Sequence, residues 1–348
     1  MRSDTKSGEI GKGRETMMNW WRKIILAGAV LGTVGLMAAC GKQEAGTGAS
    51  SAAGKLHIGI VQPIEHGSLD ESNRGFVKAL RDQGLDDSHI VIDQQNAQGD
   101  PSNLKNIVTQ MVSQKVDLIL AIGTPPAQLA ANETKDIPIV GTAIYDYKKA
   151  NLVESLDHPG HNVTGTTNAN PIPPQLDLYR RVVPGASRVG LLYSSTEVNS
   201  QVQAEAVREY CRQNHLTLVE ATAPSVNDIP QAVKNMVGKV DFLYLPTDNI
   251  MAAAIPTITG VTDPAGIPVF AGADEMVKAG VLGSLSVNYY EIGYEAGLMA
   301  VKILRHEAVP ADMPITGQKK MKTVFNKEAM KKLHVSLPPE LQQEAEII

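Results

Sequence analysis

Two stretches of the chain end on small polar side chains in the same way. "VDLILAIGTP" runs from Val116 to Pro125, and "VDFLYLPTDN" from Val240 to Asn249. Each passes from a Val-Asp pair through an apolar run to a threonine beside a turn residue. Threonine, asparagine and aspartate at such places can hold a small polar solute. Hydroxyls and the free N–H groups at a helix start bind a carboxylate. A carboxylate side chain binds an ammonium through a charge-assisted hydrogen bond.

The candidate binding residues follow from this pattern. After the first apolar run come Pro63, Glu65 and His66, and after the third come Gly123, Thr124 and Pro125. Thr142 and Ala143 end the fourth. In the second half the candidates are Ser194, Ser195, Asn199 and Ser200, then Thr247, Asp248 and Asn249, then Asp274. Asn199-Ser200 and Thr124-Pro125 each open a helix and suit a carboxylate, while Asp274 or Asp248 suits an ammonium. Tyr145 and Tyr193 are the aromatic residues nearest the site by position. Several of these have structural alternatives. Asp248-Asn249 and Asn199-Ser200 are equally good helix caps, and Glu65-His66 reads as well as a surface pair. Asp117 and Asp241 are expected at strand starts, away from the site.

Catalytic constellations are missing from the pattern. "IVQPIEHGS" is not the glycine-rich turn of a dinucleotide site, and no phosphate loop follows a strand. "YSSTEVNS" lacks the form of a hydrolase elbow. His57, His89, His158, His161, His215, His306 and His334 are scattered without metal-ligand spacing. The sequence therefore predicts no enzyme, cofactor or metal. The net charge of −5 gives no nucleic-acid footprint.

The elements that must position these residues repeat. With 348 residues, 43% of them hydrophobic and 4% aromatic, the chain is long enough for two domains. Strand-like runs at 56–62, 89–97, 116–124 and 137–143 alternate with helical stretches at 69–84 and 101–115. The series restarts with strands at 188–195, 216–223, 240–248 and 267–272 and helices at 199–215 and 225–239. Pro256 should end or kink the helix that follows Asn249. Strands apolar nearly throughout are covered on both faces, which predicts an α/β fold with parallel sheets. Two similar lobes follow, with the carboxyl ends of their strands facing a cleft. Three polar or β-prone stretches, 161–171, 283–290 and 311–326, are expected to cross between lobes. The boundaries so drawn give a first lobe of 55–165 with 288–312 and a second of 166–287 with 313–340.

Ahead of the lobes lies a basic segment ending in "NWWRK" (19–23), then the uncharged run "IILAGAVLGTVGLMAAC" (24–40). That run is short for a membrane span and fits an export signal. "MAAC" before Gly41 resembles a bacterial lipobox, which implies a signal over 1–39 and a lipid on Cys40. "GKQEAGTGASSAAG" completes a flexible tether over 40–54. Cys211 is then the one free thiol, expected to be a buried apolar side chain.

As a set, the motifs resemble the solute-binding lipoproteins of ABC importers with the type I periplasmic binding protein fold. Within these they are similar to the subfamily that binds tryptophan and phenylalanine. The matching stretches are "IGIVQPIEHGSLDESNRGF" (58–76), "IDQQNAQGDPSNL" (92–104), "DLILAIGTPPAQ" (117–128), "NVTGTT" (162–167), "VDFLYLPTDN" and "IPVFAGADEMVKAGVLGSLSVNYYEIG" (267–293). The chain has Gly123-Thr124-Pro125 where the family usually reads Ala-Thr-Pro. It has "GADEMV" where a Ser/Asp/Thr-rich turn is usual, with Asp274 kept. The resemblance implies two Rossmann-like lobes joined by three hinge crossings. It also implies capture of a small solute, an amino acid above others, by a monomer held at the extracytoplasmic face of the membrane through Cys40. Its partners would be an ABC permease and its ATPase. A ligand-sensing module for a membrane receptor, and a sugar or nucleoside-like solute, are the alternatives.

Overall fold

The computed structural model describes residues 54–348. The expected signal, Cys40 and all but the last residue of the tether lie outside them. Among the described residues no helix is long and apolar enough to cross a membrane.

The first lobe begins with β1 (Leu56–Gln62), α1 (Gly67–Asp82), β2 (Ile90–Asn96), α2 (Pro101–Ser113), β3 (Leu118–Ile122), α3 (Thr124–Glu133), β4 (Ile139–Ile144) and β5 (Val163–Thr167). The chain then crosses to α4 (Ile172–Val182), β6 (Arg188–Tyr193), α5 (Val198–Gln213), β7 (Thr217–Thr222), α6 (Ile229–Lys234) and β8 (Phe242–Leu245). Next come α7 (Asn249–Ala253), α8 (Ile255–Thr262), β9 (Val269–Ala271), α9 (Asp274–Lys278) and β10 (Gly283–Ser286). It returns for α10 (Tyr289–Leu304) and β11 (Thr316–Gly317). It ends in the second lobe with β12 (Lys322–Phe325), α11 (Lys327–Lys332), α12 (Pro339–Glu344) and β13 (Glu346–Ile347). Pro256 acts as expected: α7 stops at Ala253 and α8 restarts with the proline in its first turn.

Two sheets result, ordered β11-β5-β4-β3-β1-β2 and β13-β12-β10-β9-β8-β6-β7. Every pairing is parallel except β10 with β12. The order β4-β3-β1-β2 is repeated as β9-β8-β6-β7, so the two lobes are built alike. Both sheets have helices on each face. α2 and α3 cover one side of the first sheet, α1 and α10 the other. The chain passes between lobes at 168–171, 287–288 and 318–321. β11 pairs with β5, so the first lobe runs to 317 rather than 312. β13 pairs with β12, so the second reaches 347 rather than 340. Those short strands carry too few apolar residues to stand out in sequence.

The twin Val-Asp pairs have one structural role. Asp117 Oδ2 accepts from the His57 N–H at 2.7 Å, and Asp241 Oδ2 accepts from the Arg188 N–H at 2.8 Å. Each carboxylate therefore caps the first strand of its own lobe, at the end away from the cleft. Burial raises the Asp241 carboxyl, but Arg188 and two backbone N–H donors outweigh it and hold the group at about 2.

Helix α10 packs against α1 at very short range. A Cβ on Gly293 would stand 2.0 Å from the Ser72 carbonyl oxygen, and one on Gly75 2.1 Å from that of Tyr290. Only glycine lets the two backbones approach so closely. This contact fixes where α10, and with it Tyr289, stands relative to the head of α1.

Candidate functional site

The cavity between the lobes lies where open parallel sheets bind ligands, at the carboxyl ends beside the β1/β3 and β6/β8 switch points. About 330 Å³ of non-atom space lies there, open solvent at its mouth included. From the first lobe, His66, Ser68, Leu69, Ala143 and Tyr145 form its wall. From the second come Asn199, Thr247, Asp248, Asn249, Ala252, Ala273 and Met276. Asn168 of the first crossing and Tyr289 of the second complete it. Ala143 holds φ 56 at an irregularity in β4, between Gly141 and Ile144. A non-glycine residue in that region is strained, and here the strain turns the strand end toward the cavity.

His66 closes the first lobe on the second. Its Nε2 lies 3.2 Å from Asn249 Oδ1. The Asn249 amide is oriented from the other side, because its Nδ2 donates to Glu197 Oε2 at 2.9 Å. Oδ1 is thus an acceptor, His66 Nε2 carries the proton, and Nδ1 is left as a buried acceptor without a partner. Burial pulls the imidazole down to about 4, against the opposing pull of the Asn249 bond and of Asp70. The ring is therefore neutral at pH 7.

Two buried carboxylates belong to the second-lobe side, Asp248 in the wall and Glu197 behind it. Glu197 is 5% exposed and Asp248 2%. Asp248 is spent within its own lobe: it accepts from Ser194 N at 2.6 Å, Ser200 Oγ at 2.6 Å and Met251 N at 2.9 Å. Glu197 Oε2 accepts from Asn199 Nδ2 at 2.9 Å and from both the amide and the backbone N–H of Asn249. Burial first, then the neighbouring Asp248 charge, pushes the Glu197 carboxyl up to about 8. Asp248 is raised as well, mainly by burial. No lysine or arginine belongs to the wall.

Several wall groups hold polar atoms that nothing among the described residues satisfies: His66 Nδ1, Ser68 Oγ, Asn168 Oδ1 and Asn199 Oδ1. Leaving such atoms unpaired is costly, and all four belong to one cavity. The head of α1 has no side-chain cap, so its first-turn N–H groups stand beside Ser68 without one.

Of the residues singled out from sequence, His66, Ala143, Tyr145, Asn199, Thr247, Asp248 and Asn249 meet in this wall. Others do not. Glu65 and Ser195 are exposed, pointed outward by the tight turns after β1 and β6. Thr142 is fully buried and accepts from the Thr166 hydroxyl at 3.0 Å inside the first lobe. Tyr193 turns to Arg208, whose Nη2 donates to its hydroxyl at 2.8 Å. Thr124 and Pro125 form the head of α3 outside the wall, with Thr124 Oγ1 buried and unpartnered. Ser200 serves Asp248. Asp274 opens α9 next to the wall residue Ala273, its carboxyl raised to about 6, chiefly by burial. The seven scattered histidines are all exposed, and Cys211 is a buried thiol pushed up to about 11 by burial.

Sequence reasoning missed Glu197, Asn168 and Tyr289. Glu197 had a usable signal, an acidic residue at the head of a helix two places before an asparagine. Asn168 and Tyr289 had none, because they reach the cavity from crossings whose apposition only the fold creates.

A two-lobed α/β protein with a polar cavity between its lobes and no catalytic set in the wall is a solute-binding protein by architecture. The chain matches the family described as ABC transporter substrate binding protein over residues 57–348, and it belongs to that family. It is 38% identical over 317 residues to a tyrosine-binding protein of Clostridioides difficile, covering 89% of this chain and 91% of the relative. It superposes with a TM-score of 0.82 and 35% identity on an ABC domain from Streptococcus pneumonia in complex with L-Trp, covering 85% and 100% of the two chains. A ligand-free, open substrate-binding protein with adhesive properties from Clostridium difficile gives 0.64 at 39% identity, covering 84% and 99%. The second is the more similar in sequence and the less similar in shape. Together with the His66–Asn249 bond, this describes lobes that stand closed. The chain is a solute-binding component of an ABC transporter, with the type I periplasmic binding protein fold that its motifs led us to expect.

Proposed function

We propose that the chain captures a free aromatic amino acid as a zwitterion between its lobes. The observation that carries this reading is the character of the wall: unpartnered hydrogen-bonding atoms, buried carboxylates behind them, two tyrosines and no cationic side chain. The acceptors suit an ammonium. The open head of α1, with Ser68 Oγ beside it, suits the carboxylate. Tyr145 and Tyr289 provide faces for an aromatic side chain. The tyrosine-binding relative and the L-Trp complex support the same solute class.

The work is done without covalent chemistry, and the protein is not an enzyme. Contacts to both lobes shift the open protein toward the closed form, and a permease with its ATPase reads the closed surface. The pair of lobes acts as a monomer outside the cytoplasm, tethered to the membrane through a lipid on Cys40. His66, Asn199, Thr247 and Asn249 touch the solute, with Asp248 holding its turn in place.

Calorimetry against the full set of amino acids tests the reading. Tryptophan, tyrosine and phenylalanine are expected to bind and raise the melting temperature. A panel with no binder among them removes the proposal. Detergent partitioning of the expressed protein tests the anchor: Cys40→Ala should move it from the detergent to the aqueous phase.

A further inference from the structure

Glu197 lies outside the wall, yet it holds three wall groups in place. We propose that Glu197 is the positioning residue of the cavity, orienting Asn199 and Asn249, and His66 through Asn249, so that Asn199 Oδ1 and His66 Nδ1 are presented together to an ammonium group of the solute. The inference rests on the amino-acid reading above and extends it to one end of the ligand.

The geometry runs in one direction. Asn199 Nδ2 donates to Glu197 Oε2 at 2.9 Å and to the Thr247 carbonyl at 3.0 Å. Both of its other possible roles are thereby closed, and Oδ1 remains as the free end of a residue that is 5% exposed. Asn249 Nδ2 donates to the same Oε2 at 2.9 Å, which turns its Oδ1 to the His66 N–H. That proton on Nε2 leaves His66 Nδ1 as a lone-pair acceptor. One carboxylate oxygen therefore decides the polarity of two acceptors, one from each lobe. A flipped amide at either asparagine would present a donor instead and repel an ammonium.

Among the described residues, the surroundings of Glu197 contain no neutralising cation. Asp248, on the turn before α7, is the charged group beside it. His66, one amide further at the head of α1, is neutral and has Asp70 near it. α3, packed against α5, carries one titratable group, Glu133, at its far end. Asp177 and Arg180 of α4 meet α5 at its other end, through Tyr210 and Asn214. A solute ammonium would thus be the only positive charge brought to Glu197. It would favour the carboxylate and expel the proton that burial retains at neutral pH, since the group stands at about 8. The proton leaves to solvent and no bond to the solute changes.

Titration calorimetry of the wild-type protein with L-tyrosine and L-tryptophan, between pH 7.5 and pH 8.5 and in buffers of different ionisation enthalpy, tests this. His66 is neutral there in the closed form and, from its ordinary 6.5, almost wholly so when solvated in an open one, so a slope there reports Glu197. Binding should tighten as pH rises and release a proton, and 3-(4-hydroxyphenyl)propionate, which lacks the ammonium, should bind at least tenfold more weakly than tyrosine. Glu197→Gln should keep its melting transition, lose the pH slope and bind tyrosine at least tenfold more weakly. Absence of proton release, an unchanged slope in Glu197→Gln, or equal binding of the propionate overturns the inference while leaving the amino-acid reading intact. If neither amino acid binds the wild type at any pH, the amino-acid reading falls and the inference with it.

Discussion

His66 and Asn249 meet at 3.2 Å across the cleft, one at the head of α1 and the other at the head of α7. They come from different strand ends, His66 after β1, whose counterpart is β6, and Asn249 after β8, the counterpart of β3. This single bond spans the lobes at the cavity, and it needs a neutral imidazole whose N–H points one way.

Closure should therefore weaken in acid. Burial in the closed form takes the His66 ring from an ordinary 6.5 down to about 4. In an open form the ring is solvated and takes up a proton below 6.5. A depressed pKa means that the closed form is fully favoured above 6.5 and loses ground as pH falls through that window toward 4. Solute affinity should drop by up to about tenfold per pH unit there. His66→Gln, which can still donate to Asn249, should flatten the profile. Affinity measured by intrinsic fluorescence from pH 7 to pH 4 checks both.

Asp248 tests the difference between holding the fold and holding the solute. Its oxygens take the Ser194 and Met251 N–H groups and the Ser200 hydroxyl. Asp248→Ala would strip the cap of α7 and leave buried donors unpaired, for a loss of about 2–4 kcal/mol in stability. Urea unfolding without solute measures it. A loss below about 1 kcal/mol would show that these bonds are not what keeps the turn in place.

Much of this arrangement was legible before any coordinates. Six of the eight principal strands stand out because they are apolar on both faces, while β2 and β7, toward the sheet edges, are half exposed; the carboxyl ends of the strands name the loops that reach the cavity. Asp117 and Asp241 were placed correctly at strand starts because a Val-Asp pair ahead of an apolar run has few other uses. Side-chain direction was less legible. Glu65 and His66 are neighbours, yet one faces solvent and the other the cavity, since a tight turn sends successive side chains opposite ways. Thr142 and Ala143 both looked like cleft residues near the end of β4, but the irregularity after Gly141 brings only Ala143 to the cavity and leaves Thr142 inside the lobe. Glu197 left a local trace at its helix head, but its role was not legible, because it depends on two asparagines separated from each other by fifty places in the chain, through about 3 Å contacts that only folding makes.

The close contact of α1 and α10 gives a stability prediction remote from the solute. Gly293→Ala would place a methyl 2.0 Å from the Ser72 carbonyl oxygen. The backbones must separate, and overpacking of this kind costs about 1–3 kcal/mol. Thermal melting should show it. Because α10 begins at the wall residue Tyr289, the same substitution should also weaken solute binding, whereas a change confined to stability would uncouple the helix pair from the cavity.

Tyr145 and Tyr193 separate position in sequence from position in space. Both follow apolar strands and both looked equally able to stack on an aromatic solute. Tyr145 is in the wall, with its hydroxyl donating to the Asn170 carbonyl at 3.1 Å and burial raising it to about 12. It stays a neutral phenol across any usable assay pH. Tyr193 is held by Arg208 beside Glu220, on the far side of β6 from the cavity wall. Tyr145→Ala removes an aromatic face and should cost tyrosine or tryptophan about 1 kcal/mol or more, roughly five- to tenfold in affinity. Tyr193→Phe should leave that affinity unchanged. Calorimetry on the two variants decides the matter: equal losses would mean the aromatic side chain lies elsewhere, and a loss confined to Tyr145→Ala would place it against the β4–α4 side of the cleft.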